Sequence, residues 1–387
     1  MKIIHTGDWH IGKMVHQVQM IEDQDYILKE FIKLIEEEKP DVVVIAGDLY
    51  DRSVPPVVAV DLLDRVFTKI LVNLNTPIIA IAGNHDSGDR VGFASQILKN
   101  KGLYICGRLG KNISPIVIKD QYGEVNFYPV PYADPAEVRH VMEDEDIHNH
   151  NEAMKSIIDS IKENMNESKR NVLIAHGFVI GAGERDTCES ERPLSIGGTE
   201  FIDIENFNVF NYTALGHLHG AQKVGCDKVR YSGSLLKYSF SEFKQKKSIT
   251  IVNLNKDGEV SIDLRSLIPH KDMRIIKGKI EDLLNPDVYR NTNVNDYIYV
   301  DLTDECEIIE PMSKLRTVYP NVLKLTRNSF NRKMENGRTS LQEDYNNKTM
   351  LELFDEFYTN VIGREFTKEK KDVLLKVLKS VEKKEGR

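Results

Sequence analysis

Five short segments of this 387-residue chain carry side chains of the kind that hold divalent cations: Asp8 with His10, Asp48, Asn84 with His85, His176, and His217 with His219. A mixed set of carboxylate, imidazole and amide donors suits a pair of first-row ions such as Mn²⁺. It suits an all-oxygen Ca²⁺ site or an all-thiolate zinc site less well. Two ions about 4 Å apart have the spacing for in-line attack on phosphorus, with hydroxide drawn from water near neutral pH, and one carboxylate must then bridge them. Asp48 belongs to the middle one of the first three segments and is the bridging choice. His85, next to a candidate ligand, is placed to protonate the leaving oxygen. Taken singly, each residue has a plainer explanation, since a strand-end His is commonly hydrogen-bonded scaffold and an Asp after Gly commonly forms a turn. The recurrence of such groups at five places is what points to a metal centre. Asp86 is read as a turn-stabilising residue, and His5, His16, His140, His148, His150 and His270 as surface or packing residues.

The elements that must position these groups are legible from periodicity. Ile3-Ile4 leads into Asp8, Val42 to Ala46 into Asp48, and Ile78 to Ala82 into Asn84, each an apolar run of the kind buried on both faces of a sheet. Between the first two, Ile27, Phe31, Leu34 and Ile35 recur at helical spacing within Asp23 to Glu38, ahead of Pro40. A second helix is expected from Val57 to Val72. Asp8 to Asp48 is 40 residues and Asp48 to Asn84 is 36, about one βαβ unit each. Parallel strands built this way deliver their carboxyl ends to one sheet edge, where α/β folds bind ligands. Val172 to Ala175 and Tyr212 to Leu215 repeat the pattern before His176 and His217.

Elsewhere a helix is expected at Phe93 to Lys99, strands near Ile116 and Val125, and a surface helix around Met154 to Ile161. Asp257-Gly258 is the turn of a hairpin formed by Lys247 to Leu254 and Glu259 to Leu264. Strand, strand, helix and strand then follow at Met273 to Ile280, Tyr297 to Leu302, Pro311 to Val318 and Val322 to Thr326, enough for a small α/β module. After a polar linker, Thr349 and Glu352 form a capping box ahead of Leu353, Phe354, Phe357 and Val361. A last helix carries Leu374, Val377, Leu378 and Val381 on one face. Two such stripes bury little against each other, so they fold back on the body or dock on another protein.

Composition limits the function classes. A hydrophobic fraction of 41% supports a real core, and no stretch approaches the ~20 apolar residues of a membrane span. The N-terminal apolar run is too short for a signal peptide, so a soluble, cytoplasmic protein with no membrane association is expected. Cys106, Cys188, Cys226 and Cys306 lack paired spacing and read as reduced thiols. A net charge of −8 does not by itself point to a phosphate-rich polymer as partner, although Lys223 to Lys247 and the last twenty residues are Lys-rich.

The D-x-H, G-D-x-x-D, G-N-H-D, H-G and G-H-x-H blocks, beginning at Asp8, Gly47, Gly83, His176 and Gly216, resemble the calcineurin-like metallophosphoesterases over residues 1 to about 250. Asp8 to Gly12, Ser190 to Gly198 and Tyr231 to Ser241 are similar to one branch of that family, the DNA-break-processing nuclease subunits that work with an ATPase. The resemblance implies an α/β fold, a two-sheet β-sandwich flanked by helices, with a small α/β capping domain and C-terminal helices. Its domains would be 1–270 nuclease, 271–330 DNA capping, 331–348 linker and 349–387 partner-binding helices. It implies two Mn²⁺ ions (Mg²⁺ being the alternative), one on Asp8, His10, Asp48 and His219, the other on Asp48, Asn84, His176 and His217. His85 would be the proton donor, with Asp51 orienting it. The implied activity is single-strand endonuclease, 3′ to 5′ double-strand exonuclease and hairpin opening. The implied partners are DNA and a coiled-coil ATPase that supplies part of the DNA affinity. A homodimer within a heterotetramer, on the nucleoid, would form through helices near 57 to 72 and 90 to 100. The competing readings are a closed-pocket phosphatase for small phosphoesters, which leaves residues 271–387 without a use, and a scaffold with a vestigial site, which the full ligand set disfavours.

Overall fold

The apolar runs that precede the candidate ligands are strands, and they are divided between two sheets. In the first sheet the order is Val260–Ser266, Ser248–Leu254, Lys2–Thr6, Val42–Ile45, Ile78–Ile81 and Leu103–Cys106. Lys2–Thr6 pairs parallel with Val42–Ile45 (Ile3 opposite Val42) and antiparallel with Ser248–Leu254. In the second sheet the order is Gln222–Val224, Cys226–Tyr231, Tyr212–Gly216, Arg170–His176, Gly123–Val130 and Ile116–Asp120. Tyr212–Gly216 and Arg170–His176 are parallel neighbours, so His176 and His217 leave the sheet at the same edge.

Alternation decides what each face packs on. Ile3, Val42, Val44, Ala46, Ile79 and Ile81 of the first sheet meet Val125, Phe127, Val172, Ile174 and Ala214 of the second in one buried layer. The outer face of the second sheet is covered by the helix His150–Asn164 through Met154, Ile157, Ile158 and Ile161. On the outer side of the first sheet, Trp9 stands edge-on to Phe31 of the helix Ile21–Glu38 and Phe67 of the helix Val57–Thr68. Among the described residues, no helix is long and apolar enough to cross a membrane.

A computed structural model of the chain describes residues 1–181, 186–191, 200–327, 349–362 and 366–384. These fall into two compact units, Met1–Met273 and Arg274–Arg387. Met273–Gly278, which begins at the boundary, forms with Tyr297–Leu302 and Val322–Arg327 the three-stranded sheet of the second unit. Ile280, Leu283, Ile298, Val300, Leu315 and Tyr319 fill its core. The helices Met350–Ile362 and Lys368–Lys384 meet where Phe366 packs against Phe354 and Tyr358. The expected capping box is formed, with Thr349 N donating to Glu352 Oε2 at 2.7 Å and Glu352 N to Thr349 Oγ1 at 3.4 Å. The 331–348 linker, the Arg192 to Gly198 part of one family-like stretch, and the side chains of Val361, Leu378 and Val381 lie outside the described residues.

One local expectation differs from what is found, and two elements were not anticipated. The helix expected at Phe93 to Lys99 is interrupted, with short turns at Gly88–Val91 and Ser95–Leu98 and a 3₁₀ turn at Lys99–Lys101, because Ala94 between them takes a left-handed conformation at φ 59°. The edge strand Leu103–Cys106, four residues, and the helix Pro135–Met142, eight residues, are too short to stand out as periodic runs.

Candidate metal centre

Both sheets send strand ends into one cradle, and the backbone there is bent to make it. Asp8 (φ 51°), His10 (φ 44°), Asp48 (φ 51°) and His217 (φ 111°) all have positive φ, a costly conformation for residues with a Cβ and one that clusters at functional sites. Glycine allows the two sheets to close on each other. A Cβ on Gly216 would lie 1.9 Å from the carbonyl oxygen of Ala46, and one on Gly47, itself at φ 92°, would lie 2.4 Å from His176 Nδ1.

Asp48 occupies the centre. Its Oδ2 is 3.6 Å from His10 Nε2 on one side and 3.5 Å from His176 Nε2 on the other, while Oδ1 accepts from the backbone N–H of His85 at 2.9 Å. Ligand-type atoms of Asp8, His10 and His219 lie within 4.8 Å of one another, as do those of Asp8, Asp48 and His176. Asn84 joins through Oδ1, 2.9 Å from His176 Nε2, and the His217 ring lies 5.5 Å from the His176 ring. The backbone N–H of His217 donates to the Asp8 carboxylate at 2.9 and 3.1 Å. All seven candidate ligands are thus brought together.

The donor set fits cations on direct grounds. His176 Nδ1 faces the Ala46 carbonyl at 2.8 Å, which only accepts, so Nδ1 carries the proton and Nε2 presents a lone pair to the Asn84 oxygen. Lone pairs opposed as those of His176 Nε2 and the Asn84 oxygen are can share a cation. His10 Nε2 and His219 Nε2 lie 3.1 Å apart, close enough to share one proton or one cation, and among the described residues the buried His10 Nδ1 has no hydrogen-bond partner. Burial pushes the Asp8 carboxyl well above its ordinary range, with the Asp48 charge adding to it, and pushes Asp48 up to about 6. Burial also holds His10 and His217 well below the ordinary imidazole range and His176 at about 4. Bound cations would invert that balance for the carboxylates, favouring their ionised form, and would reinforce it for the rings, which bind metal when neutral.

His85 stands over this set, its ring 4.7 Å from that of His10. Asp51 contacts it through the backbone and not through the carboxylate: His85 Nδ1 donates to the Asp51 carbonyl at 2.9 Å, while the carboxylate pairs with Lys13 Nζ at 2.7 Å. Asp86 is the turn-stabilising residue expected, and its reach is wider. Its carboxylate accepts from Gly83 N, Leu49 N and Tyr50 N at 2.9–3.0 Å, tying the Asn84 loop to the Asp48 loop. Burial, with the charge of Asp48, pushes it up to about 7. Sequence reasoning gave no role to Lys13, Ser190, Glu191, Glu242 or Lys247, which surround the ligands. The Ser239-x-x-Glu242 spacing of a capping box was the available signal for Glu242.

Comparison with known proteins sets the class. Residues 1–221 match the calcineurin-like phosphoesterases, and the chain belongs to that family, whose members use two divalent metal ions. Residues 269–361 match the SbcD C-terminal domain, described as the Type 5 capsule protein repressor C-terminal domain. The two matches together support an SbcD-type nuclease subunit. Among solved structures, a dimetal phosphatase from Danio rerio is similar at 11% identity and TM-score 0.43, covering 69% of this chain and 96% of that one. Phosphopantetheinyl hydrolase from Mycobacterium tuberculosis is similar at 14% identity and TM-score 0.36, covering 69% and 96%. Likenesses of this strength are silent on substrate.

Proposed function

We propose that this chain is the nuclease subunit of an SbcCD-type complex, a dinuclear-metal phosphodiesterase that cuts DNA in repair, recombination and replication. Its activities would be single-strand endonuclease, 3′ to 5′ double-strand exonuclease and hairpin opening. The observation that carries the reading is the pairing in one chain of the phosphoesterase match at 1–221 with the SbcD C-terminal match at 269–361. In this reading Asp8, His10, Asp48 and His219 hold one ion and Asp48, Asn84, His176 and His217 the other, with Mn²⁺ the preferred ion and Mg²⁺ the alternative. The 3.6 and 3.5 Å distances from Asp48 Oδ2 to the two rings support its bridging role. When bound, the ions supply Lewis acidity toward the phosphodiester and hydroxide from water near neutral pH.

The chain's own groups do the rest. His85 donates from Nδ1 to the Asp51 carbonyl, so it would act as an acid only in its doubly protonated form, giving the second proton from Nε2 to the leaving oxygen and returning to the neutral Nδ1–H ring. Asp86 and the Asp48–His85 backbone bond hold that ring over the ligands. In the second unit, the three-stranded module would cap the DNA and the last two helices would dock on the coiled coil of an SbcC-type ATPase. Phe357 and Val373, 59% and 61% exposed, are available for that contact. A homodimer is favoured by the apolar surface of Val57, Val72, Phe93 and Ile97.

The test is cleavage of hairpin and blunt-ended DNA in Mn²⁺, with and without the ATPase and ATP, beside turnover of a nucleotide monoester. Hairpin opening that chelation abolishes supports the reading. Monoester turnover with no DNA cleavage would replace it with a small-phosphoester phosphatase.

A further inference from the structure

Two of the family-like stretches contribute nothing to the ligand set, yet the described ends of both converge on His219. Ser190 and Glu191 come from one stretch, and Glu242 follows the other directly. Glu191 Oε1 accepts from the backbone N–H of His219 at 2.8 Å. Lys247 Nζ donates to the carbonyl of His219 at 2.8 Å, to Glu242 Oε2 at 2.6 Å and to Ser234 Oγ at 2.9 Å. Glu242 Oε1 accepts from Ser190 Oγ at 2.6 Å and from the N–H groups of Tyr238 and Ser239 at 3.0 Å. Ser190 Oγ in turn lies 2.9 Å from His219 Nδ1.

The protons in this chain of contacts can be assigned. The fully buried Glu242, held by a lysine ammonium, is an acceptor only, so the single Ser190 hydroxyl proton goes to it. Ser190 Oγ must then accept from His219 Nδ1–H. Cys188 Sγ, 3.0 Å from the same hydroxyl, adds at most a weak donor. The proton is thereby kept at Nδ1, and Nε2 is left as a lone pair facing His10 Nε2. A buried ion pair is weak evidence for stability, because an apolar pair of similar volume serves as well or better. Its contacts with one histidine, at the ring through Ser190 and at the carbonyl directly, call for another explanation.

We propose that Ser190, Glu242 and Lys247 are positioning residues that lock the His219 ring and its Nδ1–H tautomer, and so set the affinity of one of the two ion positions, that of Asp8, His10, Asp48 and His219. This rests on the reading of His219 as a ligand. Outer partners of ligating histidines are commonly worth about 10- to 100-fold in metal affinity.

The test uses the full chain, stripped of metal and titrated with Mn²⁺ while free Mn²⁺ is followed by electron paramagnetic resonance. Ser190→Ala should weaken one of two binding events by about 10- to 100-fold, leave the other as in wild type, and leave the metal-free chain folded with a melting temperature lowered by no more than a few degrees; Ser190→Thr, which keeps the hydroxyl, should restore the affinity. Imidazole ¹⁵N shifts of the metal-free wild type should show His219 protonated at Nδ1, a measurement that needs no variant. Two ions bound with the same affinities in wild type and Ser190→Ala, or an Nε2–H tautomer, would overturn the relay alone. A wild type that binds no divalent ion would overturn the metal-centre reading and the relay with it.

Discussion

His5 offers a test of the sandwich that is independent of the metal centre. It lies fully buried between the sheets, with Nδ1 2.8 Å from the Tyr212 hydroxyl and Nε2 3.2 Å from the Leu215 carbonyl. The carbonyl only accepts, so Nε2 carries the proton and Nδ1 accepts from Tyr212. Burial lowers its pKa from 6.5 to about 3; the Leu215 bond opposes the shift and the charge of Arg230 adds to it. Because the folded-state pKa lies below the unfolded one, the unfolded chain binds the proton first. Stability is therefore fully present above the unfolded value and is lost as pH falls from there toward the folded value. Between about pH 7 and about pH 5 the loss from this one group is about 2 kcal/mol, and its limiting slope is about 1.4 kcal/mol per pH unit. His5→Gln keeps a donor for Leu215 and an acceptor for Tyr212 but does not titrate. Urea unfolding of the metal-free chain at the two pH values should show wild type losing about 2 kcal/mol more than the variant. Equal losses in both proteins would mean that His5 is not held neutral in the core, and would remove the argument for this contact between sheets.

Three further outcomes are expected. His85→Gln should lower DNA cleavage by about 10²- to 10⁴-fold while Mn²⁺ stoichiometry, read by the same titration, stays at the wild-type value; unchanged cleavage would refute its assignment as acid. Gly216→Ala forces a Cβ against the Ala46 carbonyl and should cost about 1–3 kcal/mol in denaturant unfolding together with weakened Mn²⁺ binding, so wild-type affinity would show that the close approach is dispensable. Phe93→Asp with Ile97→Asp places charges where side chains that are 80% and 74% exposed now stand; sedimentation should give a monomer if this face joins two copies, and an unchanged dimer would assign the interface elsewhere.

What could be read in advance follows from how local each signal is. Val42 to Ala46 and Ile78 to Ala82 are continuous apolar runs, and such runs mark strands with both faces covered, as found. The helix Ile21–Glu38 was legible from its 3.6-residue stripe. Leu103–Cys106, at the sheet edge, was not, because four residues are too few to show a period, and a short apolar run does not by itself tell strand from helix. The break at Ala94 was equally hidden, since nothing in that residue's type favours a left-handed turn.

For the site, sequence by itself determined the chemistry available: which side chains stand at strand ends, and that they suit paired cations and phosphorus. Those are properties of residue type and short-range spacing. Only the tertiary structure decided that Asp8 and Asp48 come from one sheet and His176 and His217 from the other, with Gly47 and Gly216 allowing the contact. It alone decided that Asp51 meets His85 through a carbonyl while its carboxylate pairs with Lys13. The Ser190–Glu242–Lys247 network behind His219 is of the same kind. Which polar atoms bond to each other depends on separations of a few tenths of an ångström between residues far apart in the chain, and no local pattern encodes that.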